Sequence, residues 1–411
     1  MRRCVAVLAA DPGQLGALDL LARCVAERRG ELAARVAARL VDAYVRRGDL
    51  PRALAAADLA KAGGTDAKPL HRAIAAAFGA GSKRVREDVA PAPPPLPVRE
   101  VEPVRASGAK LLAQAERALE AYLASEDEVA ENAPVPKLPL FGALSPPMLE
   151  PLLGAWELRQ LDAGERAIEE GAEGRDAFVV VRGTLRAERG RGDAAVILAV
   201  LGPGALFGEM ALVSDAPRAA SVIAEEPVQL LAASRDALEE LAKKTPKIGE
   251  QLGEFCRARM VSNLMQHSPL LRVVAREERA KLMARFEPRT FEPGDKLVAR
   301  GKETNGLFLI ASGGVRVVGR DTDGDELQVA VLGPGDVVGE ISLVLRKAAT
   351  ADVVATHRTV ALELTRDQFQ GAIKEHPTLL SELYDLATKR EDEMRTVVAQ
   401  EALDVEGMVL L

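Results

Sequence analysis

The densest chemistry in the chain lies between Phe207 and Ser221, which read FGEMALVSDAPRAAS. Arg218 offers a planar fork of donors that holds two oxygens of a phosphate at once, which a lysine does less well. The turn Gly208-Glu209 feeds a short helix at Met210-Ala211-Leu212, and backbone N–H groups at such a start point towards an anion. Ala219 and Ala220 are small enough to let the backbone approach a ligand, and Glu209 and Ser221 add a carboxylate and a hydroxyl.

A second stretch, Val338-Gly339-Glu340-Ile341-Ser342-Leu343, repeats the opening of the first. Its loop reads as shorter: Gly208 to Ser221 is 13 steps, Gly339 to Thr350 only 11. Setting Ala348-Ala349-Thr350 on Ala219-Ala220-Ser221 puts Lys347, with Arg346 beside it, where the arginine belongs. Losing a bidentate charge-assisted contact costs about 1.5–3 kcal/mol, roughly tenfold to over a hundredfold in affinity. The second set, Gly339, Glu340, Ile341, Ser342, Lys347 and Thr350, is therefore expected to bind weakly or not at all and to serve structure or partner contact.

Other chemistry is not supported. Asp321, Asp323 and Asp325 imitate a calcium loop, but its sixth position is Glu326 rather than glycine and its twelfth is Leu332 rather than glutamate; a polar hairpin turn is the expectation. Gly79-Ala80-Gly81-Ser82-Lys83 lacks the spacing of a phosphate loop and any preceding strand. His71, His267, His357 and His376 form no ligand pair, so no metal or cofactor is expected. Cys4, Cys24 and Cys256 are scattered, as in a reducing cytoplasm. No nucleophile–base constellation appears, and the chain is read as a non-enzyme.

The elements that hold the two stretches repeat with them. Gly164, Gly171, Phe178 and Gly183 return as Gly294, Gly301, Phe308 and Gly313, a shift of 130. Ala199-Val200-Leu201-Gly202-Pro203-Gly204 returns as Ala330-Val331-Leu332-Gly333-Pro334-Gly335, a shift of 131. Such a period suits a duplicated domain rather than a solenoid. Short β-rich runs such as Ala177-Phe178-Val179-Val180-Val181 alternate with Gly and Pro turns. Upstream, residues 1–80 are rich in Ala and Leu with helical spacing. Residues 91–103 hold six of the 24 prolines and read as an extended linker. One more amphipathic helix is expected over 108–123, followed by the acidic tract Glu126 to Glu131.

Composition bounds the rest. The 411 residues allow two to four domains, and 48% hydrophobic residues are enough for real cores. A net charge of −7 and 3% aromatics fit poorly with a phosphate backbone or a stacking platform for single strands. The apolar run after Met1-Arg2-Arg3 stops at Asp11-Pro12, and no uncharged stretch approaches a membrane span. A cytoplasmic protein is expected.

The stretch Phe207 to Ser221 resembles the phosphate-binding cassette of cyclic nucleotide-binding domains, as in protein kinase A regulatory subunits and catabolite activator proteins. Gly208, Glu209, Ala211, Leu212, Pro217, Arg218, Ala219, Ala220 and Ser221 carry the match. The resemblance covers 137–400 and implies a multidomain α+β chain: an N-terminal α-helical module, then two antiparallel β-roll (jelly-roll) domains with flanking helices. It implies ligand contacts from Gly208, Glu209, Met210, Ala211, Arg218, Ala219 and Ser221, with Glu209 on a ribose 2′-hydroxyl and Ser221 at the phosphate or base. Ala219 directly after the arginine leans towards cAMP over cGMP. Phe255, Arg257 and Met260 are candidates for a lid over the base. Tyr44, Gly48, Leu50, Ala53, Ala57 and Ala60 resemble a tetratricopeptide repeat.

The expected domains are 1–80 (helical, tetratricopeptide-like), 81–136 (Pro-rich linker with one helix), 137–266 (first nucleotide-binding domain) and 267–411 (second, with a C-terminal helix). The expected partners are a cyclic nucleotide and a protein that docks on the N-terminal helices, or a second copy of the chain. DNA is not expected, because too few residues follow the second β-roll for a helix-turn-helix domain. Residues 84–108 offer no kinase pseudosubstrate. The rival reading is a scaffold with vestigial β-rolls.

Overall fold

A computed structural model describes residues 1–86, 101–125, 134–136, 141–190, 195–212, 216–321 and 324–409. The proline run Pro91–Pro97 and the acidic tract Glu126–Glu131 lie outside these residues. The chain divides into two compact units. The first is Met1–Glu169, Arg175–Glu209 and Ser221–Phe255; the second is Glu170–Gly174, Met210–Ala220 and Cys256–Leu411.

The first unit opens with five helices: α1 (Arg2–Ala10), α2 (Leu15–Val25), α3 (Gly30–Arg47), α4 (Leu50–Ala62) and α5 (Lys68–Phe78). The α3–α4 hairpin turns at Gly48 and Asp49. Gly48 ends α3 with a left-handed φ of 74°, and the Asp49 carboxylate accepts the Arg52 N–H at 3.2 Å to cap α4. Tyr44, Leu50, Ala53, Ala57 and Ala60 are buried between the helices. Short strands β1 (Val85–Arg86) and β2 (Val135–Pro136) pair in parallel. Between them in sequence runs α6 (Gly108–Ala124), which packs on α1, α2 and α3 rather than standing free; Ala115, Leu119 and Tyr122 are its buried face. A 3-10 turn (Phe141–Ala143) and α7 (Pro146–Leu153) lead into the sheets.

The first β-roll comprises β3 (Glu157–Leu161), β4 (Arg166–Ile168), β5 (Asp176–Arg182), β6 (Leu185–Arg189), β7 (Val196–Leu201), β8 (Leu206–Phe207), β9 (Ser221–Ala224) and β10 (Val228–Ser234). Two four-stranded sheets face each other, ordered β3-β10-β5-β8 and β4-β9-β6-β7. Helix α4 lies against β3, β5 and β10, so the N-terminal helices and this roll share one compact unit. The roll closes with α8 (Arg235–Lys244) and continues into α9 (Pro246–His267).

The second unit carries α10 (Pro269–Arg272), α11 (Arg276–Met283), then β11 (Glu287–Phe291), β12 (Lys296–Val298), β13 (Gly306–Ser312), β14 (Val315–Arg320), β15 (Glu326–Leu332) and β16 (Val337–Val338). Helix α12 (Glu340–Val344), β17 (Asp352–Ala355), β18 (Thr359–Thr365), α13 (Arg366–Glu375) and α14 (Pro377–Val409) complete it. The sheet orders, β11-β18-β13-β16 and β12-β17-β14-β15, repeat those of the first roll.

The duplication read from the sequence extends to the cores. Ile168, Phe178, Val180, Leu185, Phe207 and Ala224 fill the first roll, and Val298, Phe308, Ile310, Val315, Val338 and Ala355 fill the second at the same offsets. Ser234 and Thr365, again 131 apart, each cap the helix that closes their roll. The aspartates at 321 and 325 sit on the hairpin between β14 and β15, where the Asp325 N–H donates to the Asp321 carboxylate at 2.8 Å.

Candidate functional site

Each cassette grows out of a tight strand end. In the first, β8 stops at Gly208, whose φ is 72°, and Glu209–Leu212 form a 3-10 turn. In the second, Gly339 (φ 89°) starts α12. A side chain at 339 would place its Cβ 2.6 Å from the Gly306 carbonyl oxygen, so this approach tolerates glycine alone. The predicted glycine turn feeding a short helix is present in both copies.

Within the first unit, Glu209 and Ser221 are buried, at 4% and 5% exposure. Within the second unit, the segment Met210–Ala220 pairs with Glu170–Gly174. The Arg218 N–H donates to the Ala172 carbonyl at 2.9 Å, and the Arg218 carbonyl accepts from the Gly171 N–H at 2.9 Å. The Arg218 guanidinium lies on Gly174: a Cβ built there would stand 2.6 Å from Nε and 2.9 Å from Nη2.

The same backbone pairing recurs in the second copy, and it corrects the alignment made from sequence. There the Ala349 N–H donates to the Lys302 carbonyl at 2.9 Å, and the Ala349 carbonyl accepts from the Gly301 N–H at 2.8 Å. Gly301 and Lys302 are the counterparts of Gly171 and Ala172, so Ala349, not Lys347, stands where Arg218 stands. Strand β17 begins at Asp352 as β9 begins at Ser221, which makes the two loops equal in length. Thr350 falls opposite Ala219, and Lys347 opposite Ala216. Matching Ala-Ala-Thr to Ala-Ala-Ser makes the second loop look two residues shorter than it is. The alternation Val222-Ile223-Ala224 over Val353-Val354-Ala355 was the signal that would have fixed the register.

The second roll encloses a cavity of about 140 Å³ walled by Val298, Val317, Val329 and Leu332, with Gly339, Glu340, Ile341, Ser342 and Thr350 at its cassette side. Thr304 and Ser342 satisfy each other there: the Thr304 N–H donates to Ser342 Oγ at 3.1 Å. The cation on this cavity comes from α14, not from the cassette. Arg390 donates from Nη1 to Glu340 Oε1 at 2.9 Å and to the Val337 carbonyl. One residue on, Glu391 pairs with Lys347 at 2.5 Å. That hydrogen bond with the Lys347 ammonium, joined by the Arg395 charge, holds the Glu391 carboxyl below the usual carboxylate range. Arg390, Glu391, Gly174 and Thr304 were not singled out from sequence; their partners lie too far along the chain for spacing to reveal them.

Val196, Ile197 and Val200 on β7 are 60–64% exposed, and Val331, the counterpart of Val200 on β15, is equally so at 65%; β15 also lies against α14. Of the lid candidates, Met260 is buried in a core with Leu264 and Leu271, Phe255 is half-buried and Arg257 is exposed. Among the described residues no cluster of acidic, His or Cys side chains could hold a metal ion.

Residues 158–245 and 288–376 each match the cyclic nucleotide-binding domain family. The two β-rolls are therefore a tandem pair of cyclic nucleotide-binding domains. The chain is 28% identical over 240 residues to a cAMP-dependent protein kinase regulatory subunit of Yarrowia lipolytica, covering 58% of this chain and 60% of that protein. It is 27% identical over 223 residues to a cAMP-dependent protein kinase type II regulatory subunit of Drosophila melanogaster, covering 54% and 56%. The match thus spans less than two thirds of either relative. The regulatory domain of Toxoplasma gondii PKA, solved with cAMP, is similar at 23% identity over 62% of this chain and 92% of that one, with a TM-score of 0.29.

Proposed function

We propose that the chain is a non-enzymatic regulatory protein that senses a cyclic nucleotide, cAMP in preference to cGMP, in its first β-roll. The observation that carries the reading is the contrast between two domains of one family: Arg218 is retained in the first cassette, and Ala349 holds its place in the second. Arg218 forks onto the cyclic phosphate, and backbone N–H groups from Gly208 to Ala211 complete the anion cradle. Glu209 accepts the ribose 2′-hydroxyl, Ser221 assists at the phosphate or base, and Ala219 leaves room for the ligand. The names of the curated relatives support cAMP as the ligand and a regulatory output.

The second set, Gly339, Glu340, Ile341, Ser342, Lys347 and Thr350, binds nucleotide weakly or not at all and serves structure or partner contact. The proposed domains are the helical module 1–80, a connecting region 81–136, the sensor 137–266 and the silent copy 267–411. Nucleotide favours one arrangement of the cassette over another and so shifts the population. Helix α9, which continues from the first roll, passes the change on, and a partner protein reads it at the N-terminal helices.

Calorimetric titration of the nucleotide-free chain with cAMP and with cGMP tests this. The expected result is one site per chain at micromolar affinity or better, tighter for cAMP, weakened about tenfold to over a hundredfold by Arg218→Ala. Neither heat nor thermal shift with either nucleotide would overturn the sensor reading and leave a scaffold.

A further inference from the structure

Two positions on facing loops exchange residues together between the copies. In the first, residue 174 is glycine and residue 218 is arginine; in the second, the counterparts are Thr304 and Ala349. The backbone around both pairs is the same, fastened by the 171/172 hydrogen bonds to 218 in one copy and the 301/302 hydrogen bonds to 349 in the other. What differs is the side-chain space between the loops.

That space holds only one of the two arrangements. A methyl group on Gly174 would come within 2.6 Å of Arg218 Nε, 2.9 Å of Nη2 and 3.1 Å of Cζ. Contacts under 3 Å between such atoms are repulsive, so a side chain at 174 displaces the guanidinium from its seat on the glycine, a shift that the flexible arginine side chain can make. In the second copy Thr304 fills the corresponding place. It is 6% exposed, and its hydroxyl lies 3.4 Å from the Gly339 carbonyl that accepts from it. Its N–H is taken by Ser342 Oγ, where the first copy has Ala211. Ala349, the small residue at the counterpart of 218, is 8% exposed and lines the same cavity as Thr304.

We propose that Gly174 is the positioning residue for the cassette arginine, and that the Thr304–Ala349 pair is the closed form of the same gate. The guanidinium keeps its seat against residue 174 because that residue has no side chain. A cassette of this chain therefore binds cyclic nucleotide when positions 174 and 218 (or 304 and 349) carry glycine and arginine together, and neither residue suffices alone. This rests on the sensor reading of the first roll, but its central claim concerns the arginine and is measurable without nucleotide.

The first arm reads the guanidinium directly in the full, nucleotide-free chain. With arginine side chains labelled, the Nε–H resonance of Arg218 is identified as the one missing in Arg218→Ala. Gly174→Thr is expected to shift it, and an unchanged resonance would overturn the proposal. The second arm is a stability cycle in the other copy. Ala349→Arg is expected to lower Tm in the native background and to do so clearly less beside Thr304→Gly; equal losses in both backgrounds would overturn it.

The third arm titrates cAMP. Gly174→Thr is expected to weaken binding tenfold or more, and adding Arg218→Ala to it should cost nothing further. Thr304→Gly with Ala349→Arg should raise the stoichiometry from one to two, with neither single change doing so. Native affinity in Gly174→Thr would overturn the proposal. If the native chain binds neither nucleotide while the resonance and the stability cycle behave as expected, the sensor reading fails and the gate stands.

Discussion

Gly313 and Gly324 both hold a left-handed backbone, at φ 87° and 94°, in different surroundings. A Cβ at 313 would lie 2.6 Å from the Thr359 Cα and 2.8 Å from the Arg358 carbonyl oxygen, while nothing lies within 4 Å of one at 324. Gly324→Ala therefore costs only the left-handed penalty, about 1–2 kcal/mol. Gly313→Ala adds a collision with backbone that has no room to retreat, and the loss should exceed that of Gly324→Ala by about 1–3 kcal/mol. Chemical denaturation of the two variants checks the order, and equal losses would refute the overlap argument. The turn glycines were legible from their recurrence in sequence. The contact between Gly174 and Arg218 was not, because nothing in the spacing says which side chain leans on which glycine.

At the scale of elements, α14 is tied to the second cassette by charges of alternating sign, Arg390 on Glu340 and Glu391 on Lys347. Lys347 and Arg395 both face Glu391, and the carboxyl titrates below its ordinary range because the Lys347 hydrogen bond favours the ionised form. A carboxylate with a depressed folded-state pKa contributes stability that is complete above its unfolded value and is lost as the pH falls through the folded one. Amide order in α14 around residues 384–397 is accordingly expected to fall on acidification from about pH 6 to about pH 3. Glu391→Gln should show the looser state already at neutral pH. Relaxation measurements along the helix decide it, and identical profiles for the two proteins would refute the tie. The helix itself was foreseen as the closing element of the second roll. Its role on the cavity was not, since Arg390 and Glu340 are brought together by the packing of α14 on α12 and not by any local pattern.

At the scale of the whole molecule, the Pro-rich composition of 91–103 reads as a linker that ties the helical module to the first roll. The N-terminal helices pack on that roll within one compact unit. Asp19 on α2, 3% exposed, sits 3.0 Å from Arg23 and 3.6 Å from Arg182 on β5. Arg182 also donates to the Gly16 carbonyl at 3.4 Å. A buried carboxylate between two guanidinium groups is costly to remove, because the cations lose their counter-charge and keep only carbonyl partners. Asp19→Ala should destabilise the first unit by about 2–4 kcal/mol, with the N-terminal helices and the first roll still melting together. Scanning calorimetry and residue-resolved hydrogen exchange test this; helices that open well before β5 and β10 would show that the joint does not couple them. A charged residue inside an Ala- and Leu-rich helix was visible in the sequence. Its partner on a strand more than 160 residues away was not.

The paired rolls have a practical consequence. Phe178 and Phe308, or Val180 and Ile310, occupy matching places in two cores of the same chain. In any titration one member of each pair serves as a blank for the other, at identical concentration, temperature and ionic strength. A response to nucleotide at Phe178 that is absent at Phe308 places the event in the first roll, and a response shared by both does not. The molecule is built with its own reference cell.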